Sequence, residues 1–246
     1  MNVVKLDDGI NERGFFSVIL QMISIKIINP NIPFYIDLSN WKLYQNKEKD
    51  NVWEYYFEQY YDKFETNVIR LNTNTLVNYA DRFRALNLIR SQIKDLKIKQ
   101  PILDKISLFD KYFDKKVLGV HKRGTDSDEH RPIISMDGYF KQIDENINNY
   151  DYLYVCSDEQ FAIDAFKDRY KDKIFLYDNA FRSNSKIPIH KFSNECEPYK
   201  KGEDVLIEAI LLSKCDYLLL ADSNVAFFSI YYNDNKFKFI DNTRVM

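Results

Sequence analysis

The sequence predicts an α/β protein whose second half is a parallel sheet with helices on both faces, on three observations. From Val117 onward, short apolar runs alternate with helical stretches of ten to fourteen residues. Each run ends in residues that carry charge or hydrogen bonds, as the strands of an open parallel sheet do at a ligand crevice. The chain has 246 residues, 45% of them hydrophobic, enough for one large or two small folded units.

The first third reads as one unit. Gly14 precedes an apolar stretch from Phe15 to Asn29, whose length and polar spacing favour helix over buried strand. Pro30 and Pro33 punctuate it, and Phe34-Tyr-Ile-Asp-Leu is a strand candidate. Asn51-Val-Trp-Glu-Tyr-Tyr-Phe-Glu opens a helix with Trp53, Tyr56, Phe57 and Tyr60 on one side, a stripe better suited to a core than to a ligand platform. From Thr75 to Phe113, Leu76, Tyr79, Phe83, Leu86, Ile89 and Ile93 fall three or four apart, a helical pattern that Pro101 interrupts before a further helix from Ile102 to Phe113. The boundary is placed around residues 95–100, giving an N-terminal α/β domain over 1–97 and a C-terminal, Rossmann-like domain over 98–246. No Gly- or Ser-rich linker marks the join, and there is no internal repeat.

The second half is more regular. Strands are expected at Val117–His121, Tyr152–Cys156, Ile174–Tyr177, Tyr217–Ala221 and Phe237–Ile240. Helices are expected at Met136–Asn149, Asp158–Tyr170, Glu203–Lys214 and Asn224–Tyr232, the second with a capping box of Ser157 and Gln160.

Composition narrows the partners. Lys plus Arg number 35 and Asp plus Glu 37, so no basic surplus points to nucleic acid or an anionic membrane. Cys156, Cys196 and Cys215 form no C-x-x-C pair, and with His121, His130 and His190 they give no zinc-like spacing. Cys156 and Cys215 lie in or beside apolar runs and read as buried thiols. Neither a signal peptide nor an apolar run long enough to span a bilayer is visible, so a reducing, cytoplasmic setting without a transmembrane segment is expected.

Polar residues gather just beyond the strands. His121, Arg123, Thr125 and Asp126 follow the first, Ser157 and Asp158 the second, Asp178 and Asn179 the third, and Asp222, Ser223 and Asn224 the fourth. Strand alternation puts His121 and Arg123 on one face and Lys122 on the other. Arg123 offers a planar fork that fits a phosphate, and Gly124 admits close backbone approach. The bland alternative pairs Arg123 with Asp126. Ser223 suits a helix N-cap, with the amides of the following turn as an anion site. Glu203 and Asp204 suit the dipole of their helix, whereas Glu208, one turn on, is read as a residue for a base. Asp126-Ser-Asp128 spells D-x-D, but Arg123 already supplies positive charge there, and no metal or other cofactor is expected.

Gly119-Val-His-Lys-Arg-Gly-Thr-Asp resembles the H-x-R-x-T-D signature of the GDP-fucose-dependent fucosyltransferase superfamily, which includes the core and nodulation fucosyltransferases and, more remotely, the protein O-fucosyltransferases. Phe175-Leu-Tyr-Asp-Asn and Asp204–Tyr217 followed by Asp222-Ser-Asn-Val resemble its later blocks in the same order. Gly14-Phe-Phe-Ser and the Trp53 segment resemble its N-terminal portion. This resemblance implies a GT-B-like pair of α/β domains and inverting, metal-independent transfer of fucose from GDP-fucose to a glycan hydroxyl. It implies that Arg123 holds the β-phosphate, His121 the guanine or its ribose, Glu208 the guanine in place of an aspartate, and Ser223 with Asn224 the diphosphate. Gly14, Ser157, Asp158 and Asp178 complete the substrate-binding set. Asp126, Asp128 and Glu129 are the candidate bases. Glu129 comes first for its reach and because related core-type enzymes carry a glutamate a few residues past the signature; Asp126 is expected to orient Arg123 or the loop. A donor such as GDP-mannose or a UDP-sugar, or a catalytically silent nucleotide or glycan binder, stays open.

Overall fold

The computed structural model describes residues 2–29, 31, 33–62, 67–71, 86–124, 134–185, 189, 196–233 and 236–240. The chain divides into two compact units, Met1–Leu103 with Ser193–Glu203, and Asp104–Phe192 with Asp204–Met246.

The first unit holds a three-stranded parallel sheet in the order β2 (Phe34–Ile36), β1 (Asn2–Leu6), β3 (Asn67–Leu71). Val4 registers with Ile36 and Val3 with Val68. Neither β1 nor β3 is predicted by the sequence. β1 offers only Val3-Val4 as an apolar run, and its partners lie tens of residues away. Helix α1 (Phe15–Ile28) comes next, with Gly14 at its N-cap. Phe15, Phe16, Val18, Ile19, Met22 and Ile23 are buried, so helix is the outcome where pattern alone is ambiguous. Around Phe15 an aromatic core forms from Trp41, Tyr44 and Tyr56, and Tyr199 stacks on Tyr56 with centroids 5.4 Å apart.

The helix expected at Trp53 is shorter than its pattern suggests. α2 (Trp53–Tyr56) makes one turn. It stops because the chain then pairs with the segment around Ile98: Glu58 N–H donates to Lys97 O at 2.8 Å and Lys99 N–H to Tyr56 O at 3.0 Å. Trp53, Tyr56 and Phe57 are buried, as a core stripe requires. α3 (Leu86–Lys94) buries Ile89 and Ile93; the earlier part of its predicted pattern, Leu76 to Phe83, lies outside the described residues. α4 (Gln100–Ser107) has Pro101 in its first turn, where a missing N–H costs nothing, and α5 is Asp110–Phe113.

The second unit holds five parallel strands in the order β6 (Ile174–Phe175), β5 (Tyr152–Ser157), β4 (Val117–Lys122), β7 (Tyr217–Leu220), β8 (Lys236–Phe239). In chain order this is 3-2-1-4-5, the doubly wound arrangement whose direction reverses between β4 and β7. On one face Leu118, Val120, Leu153, Val155 and Leu219 meet Tyr139 and Ile143 of α6 (Met136–Asp144) and Ala162, Ile163 and Phe166 of α7 (Gln160–Tyr170). On the other lies α8 (Pro198–Ser213): the Tyr154 hydroxyl donates to Glu208 O at 3.3 Å. A Cβ on Gly119 would stand 2.8 Å from Leu218 Cδ2 and 2.9 Å from Cys215 Sγ, so this strand needs glycine for α8's end to approach. α9 (Asn224–Tyr232) completes the unit, and its Ser229 hydroxyl donates to Ala209 O of α8.

Two expectations change here. α8 starts at Pro198 rather than Glu203, because proline fits a first helical turn and Asn46 Oδ1 accepts the Tyr199 N–H at 2.8 Å. The capping box of Ser157 and Gln160 does not form. Glu159 is the N-cap of α7 in extended conformation, Ser157 Oγ accepts the Glu159 N–H at 3.2 Å, and the Gln160 N–H goes to Ser183 O at 3.0 Å. Among the described residues no helix is long and apolar enough to cross a membrane. Cys156 and Cys215 are buried, none of the three cysteines is in a disulfide, and burial pushes both buried thiols up.

Candidate functional site

The polar residues at the strand ends of the second unit meet where the sheet changes direction. β4 delivers His121 to its carboxyl end, registered between Cys156 of β5 and Leu220 of β7. β7 runs through Ala221, whose N–H donates to His121 O at 3.1 Å, into Asp222 and Ser223. Ser223 is the N-cap of α9: its Oγ accepts the Ala226 N–H at 3.0 Å. That Oγ lies 3.5 Å from His121 Nδ1. Arg123 lies half-buried just past the strand, and one guanidinium nitrogen donates to Asp222 O at 3.1 Å. Asn224 opens α9 beside it. One fork, one imidazole and one helix N-terminus thus meet at the carboxyl ends of β4 and β7, an arrangement fit for an anion.

A second group stands behind Arg123. Lys122 turns to the opposite face and forms a buried ion pair with Glu159. A side chain on Gly124 would collide with that Glu159 carboxylate, so Gly124 makes room for the pair within the protein. Asp158 Oδ1 accepts the Gly124 N–H at 3.1 Å, and Asp158 O accepts the Ser183 N–H at 2.8 Å. Ser157 is buried at the end of β5 and closes the turn onto Glu159.

Glu208 has a partner that the sequence does not reveal. Arg182, from the loop after β6, donates to Glu208 Oε1 at 2.9 Å, to Tyr177 O at 3.0 Å and to Ala180 O at 3.0 Å. The two side chains are 4% and 11% exposed, so this is a buried pair rather than a carboxylate held open. Burial pushes the Glu208 carboxyl up to about 8; Arg182 opposes this, and Asp204 and Asp158 reinforce it. Asp204 itself accepts the Phe181 N–H at 2.9 Å. An arginine inside a polar loop reads as solvated, so no sequence signal marks Arg182.

Asp178 is exposed and pairs with Lys167 at 2.8 Å, an ordinary surface bridge. Gly14 belongs to the first unit, where its neighbour Phe15 donates its N–H to the Tyr44 hydroxyl at 3.0 Å. Thr125, Asp126, Asp128 and Glu129 lie outside the described residues. Among the described residues no group of three or more His, Cys, Asp or Glu is placed to hold a metal ion.

The sheet order defines a doubly wound α/β protein. The chain is similar in structure to NodZ α-1,6-fucosyltransferase soaked with GDP-fucose, with 15% identity, 94% of this chain and 92% of that one covered, and a TM-score of 0.56. It is similar to the same degree to NodZ from Bradyrhizobium, with 14% identity, 94% and 90% covered, and a TM-score of 0.58. It therefore shares the fold of that fucosyltransferase. No protein-family model matches the sequence, and no curated protein matches it in sequence.

Proposed function

We propose that this chain is a glycosyltransferase that takes a nucleotide-sugar donor, with GDP-fucose the donor that the sequence motif and shared fold favour, and a glycan hydroxyl as acceptor. The observation that carries this reading is the meeting of Arg123, His121 and the Ser223-capped end of α9 at the reversal point of the sheet. That is where an open α/β sheet binds its ligand. The solved NodZ structures, one soaked with GDP-fucose and one co-crystallised with GDP, support the same ligand class.

In this reading the 98–246 half binds the donor and the 1–97 half the acceptor. Arg123 and the first turn of α9 neutralise the diphosphate as the glycosidic bond breaks, where negative charge develops. Their charge takes the place of a divalent metal. Transfer inverts the anomeric carbon as a base removes the acceptor proton, with Glu129 the first candidate, then Asp128 and Asp126. His121 faces the nucleoside, while the Glu208 carboxyl is taken up by Arg182 and is not held open to a base. Three cysteines outside any disulfide support work in a reducing, cytoplasmic compartment.

A thermal-shift series with GDP, UDP, GDP-fucose and GDP-mannose tests the donor. GDP and GDP-fucose are expected to stabilise the chain and UDP much less; equal stabilisation by UDP removes the guanine assignment. Arg123→Ala should abolish most transfer, and Arg123→Lys should recover little, because a point charge lacks the fork. Stabilisation by GDP-fucose without turnover on any glycan would favour the silent binder.

A further inference from the structure

Arg182 is an expensive residue to bury. Its side chain is 4% exposed, its Nε is buried with no acceptor among the described residues, and Glu208 stands beside two further carboxylates, Asp204 and Asp158. An apolar pair of similar volume would serve stability as well or better. A buried donor without a partner adds a cost of its own. Such a cost, beside a crevice, calls for a reason other than packing.

The hydrogen bonds supply one. Arg182 spans the loop after β6 through Tyr177 O and Ala180 O, while Glu208 ties it to α8. The next residue, Ser183, donates its N–H to Asp158 O, and Asp158 Oδ1 accepts the Gly124 N–H directly after Arg123. Glu159, adjacent to Asp158, forms a bridge with Ser183 and pairs with Lys122 on the other side of Arg123. Both flanks of Arg123, the Gly124 backbone and the Lys122 side chain, are thus held by a segment pinned by one guanidinium.

We propose that Arg182 is a positioning residue for the donor diphosphate, acting through Ser183, Asp158 and Gly124 to fix the aim of Arg123. This rests on the donor assignment, in which Arg123 grips that diphosphate. Arg182 itself touches no substrate. Its effect belongs to the phosphate arm and not to the base, and it requires Arg123 to be present.

The variant to measure is Arg182→Met/Glu208→Gln, which removes the guanidinium and the carboxyl of the buried pair together, with Arg182→Lys as a second variant that keeps the charge and loses the fork. GDP and GMP affinities are measured by calorimetry, beside melting temperature, for the wild type, both variants, Arg123→Ala and the combinations with Arg123→Ala. The expected result is a loss of GDP affinity on the order of tenfold with GMP affinity nearly unchanged, at a melting temperature near the wild type's, and no further loss once Arg123 is alanine. Wild-type GDP affinity in the double variant overturns the proposal, as do equal losses for GDP and GMP, or losses that add to that of Arg123→Ala. If the double variant does not fold, Arg182→Lys is judged by the same three outcomes. A wild type that binds GDP no better than GMP, or is indifferent to Arg123→Ala, overturns the donor assignment itself and is seen before any Arg182 variant is made.

Discussion

Replacing Glu208 with glutamine should change how stability depends on pH, and the structure sets both sign and ceiling. The ordinary carboxyl value is 4.5, and in the folded chain burial raises it to about 8. Between those values the folded chain holds a proton that the unfolded chain has lost, so stability falls as pH rises from about 4.5 to about 8 and levels off above. At about 1.4 kcal/mol per pH unit across that gap, the ceiling is roughly 5 kcal/mol. In a chain of this size that corresponds to on the order of 10 °C in melting temperature. Glutamine keeps an oxygen for Arg182 and cannot ionise, so the variant should lack this component. Melting curves followed by circular dichroism from pH 5 to pH 9 for both proteins supply the test. The gap between glutamine variant and wild type should widen in favour of the variant as pH rises. Parallel curves would refute the reasoning and mean that Arg182 keeps Glu208 ionised throughout.

Two other substitutions probe the frame of the site. Ser223→Ala removes the cap of α9 and should cost ~1 kcal/mol, or about 2–4 °C, in a thermal melt, while Ser223→Thr should restore most of it; an unchanged melt would show that the cap is not stabilising. Gly119→Ala places a methyl group against Leu218 and Cys215 and should destabilise by about 1–3 kcal/mol in urea unfolding, with partial relief from Cys215→Ala. Full tolerance would mean that α8 yields freely at its end.

The second unit was legible because fully buried parallel strands read as continuous apolar runs. Val117–His121, Tyr152–Cys156 and Tyr217–Ala221 are of this kind, and the residues just past each are polar, at the edge where an open parallel sheet binds its ligand. The same logic found His121, Arg123 and Ser223. It failed for β1 and β3, whose identity as strands depends on pairing with each other and not on local pattern. It over-extended α2, where a stripe of aromatic residues at helical spacing was equally compatible with a core turned by backbone pairing to Ile98. Asp178 obeyed the strand-end rule but sits at the exposed edge strand, where its carboxylate pairs with Lys167 on the surface. Arg182 broke a different expectation: the loop composition implies solvent, and only the three-dimensional closure onto α8 buries it.

The place of β1 at the centre of its sheet bears on the order in which the molecule is built. Asn2–Leu6 leaves the ribosome before either strand it pairs with, one arriving at Phe34 and the other at Asn67. The aromatic core of that unit closes still later, when Tyr199 reaches Tyr56 and its carbonyl oxygen accepts the Tyr56 hydroxyl at 2.8 Å. By then β4, β5 and β6, three neighbouring strands of the other sheet, have all been made. The half encoded first is therefore the half completed late, its opening strand waiting through some two hundred residues of synthesis for the unit's last piece. Long-range pairing of this kind is slow and leaves apolar edges uncovered in the interval. Slowing translation between β3 and Tyr199 would lengthen that exposure, which makes the yield of folded chain depend on codon choice and chaperone supply in that stretch.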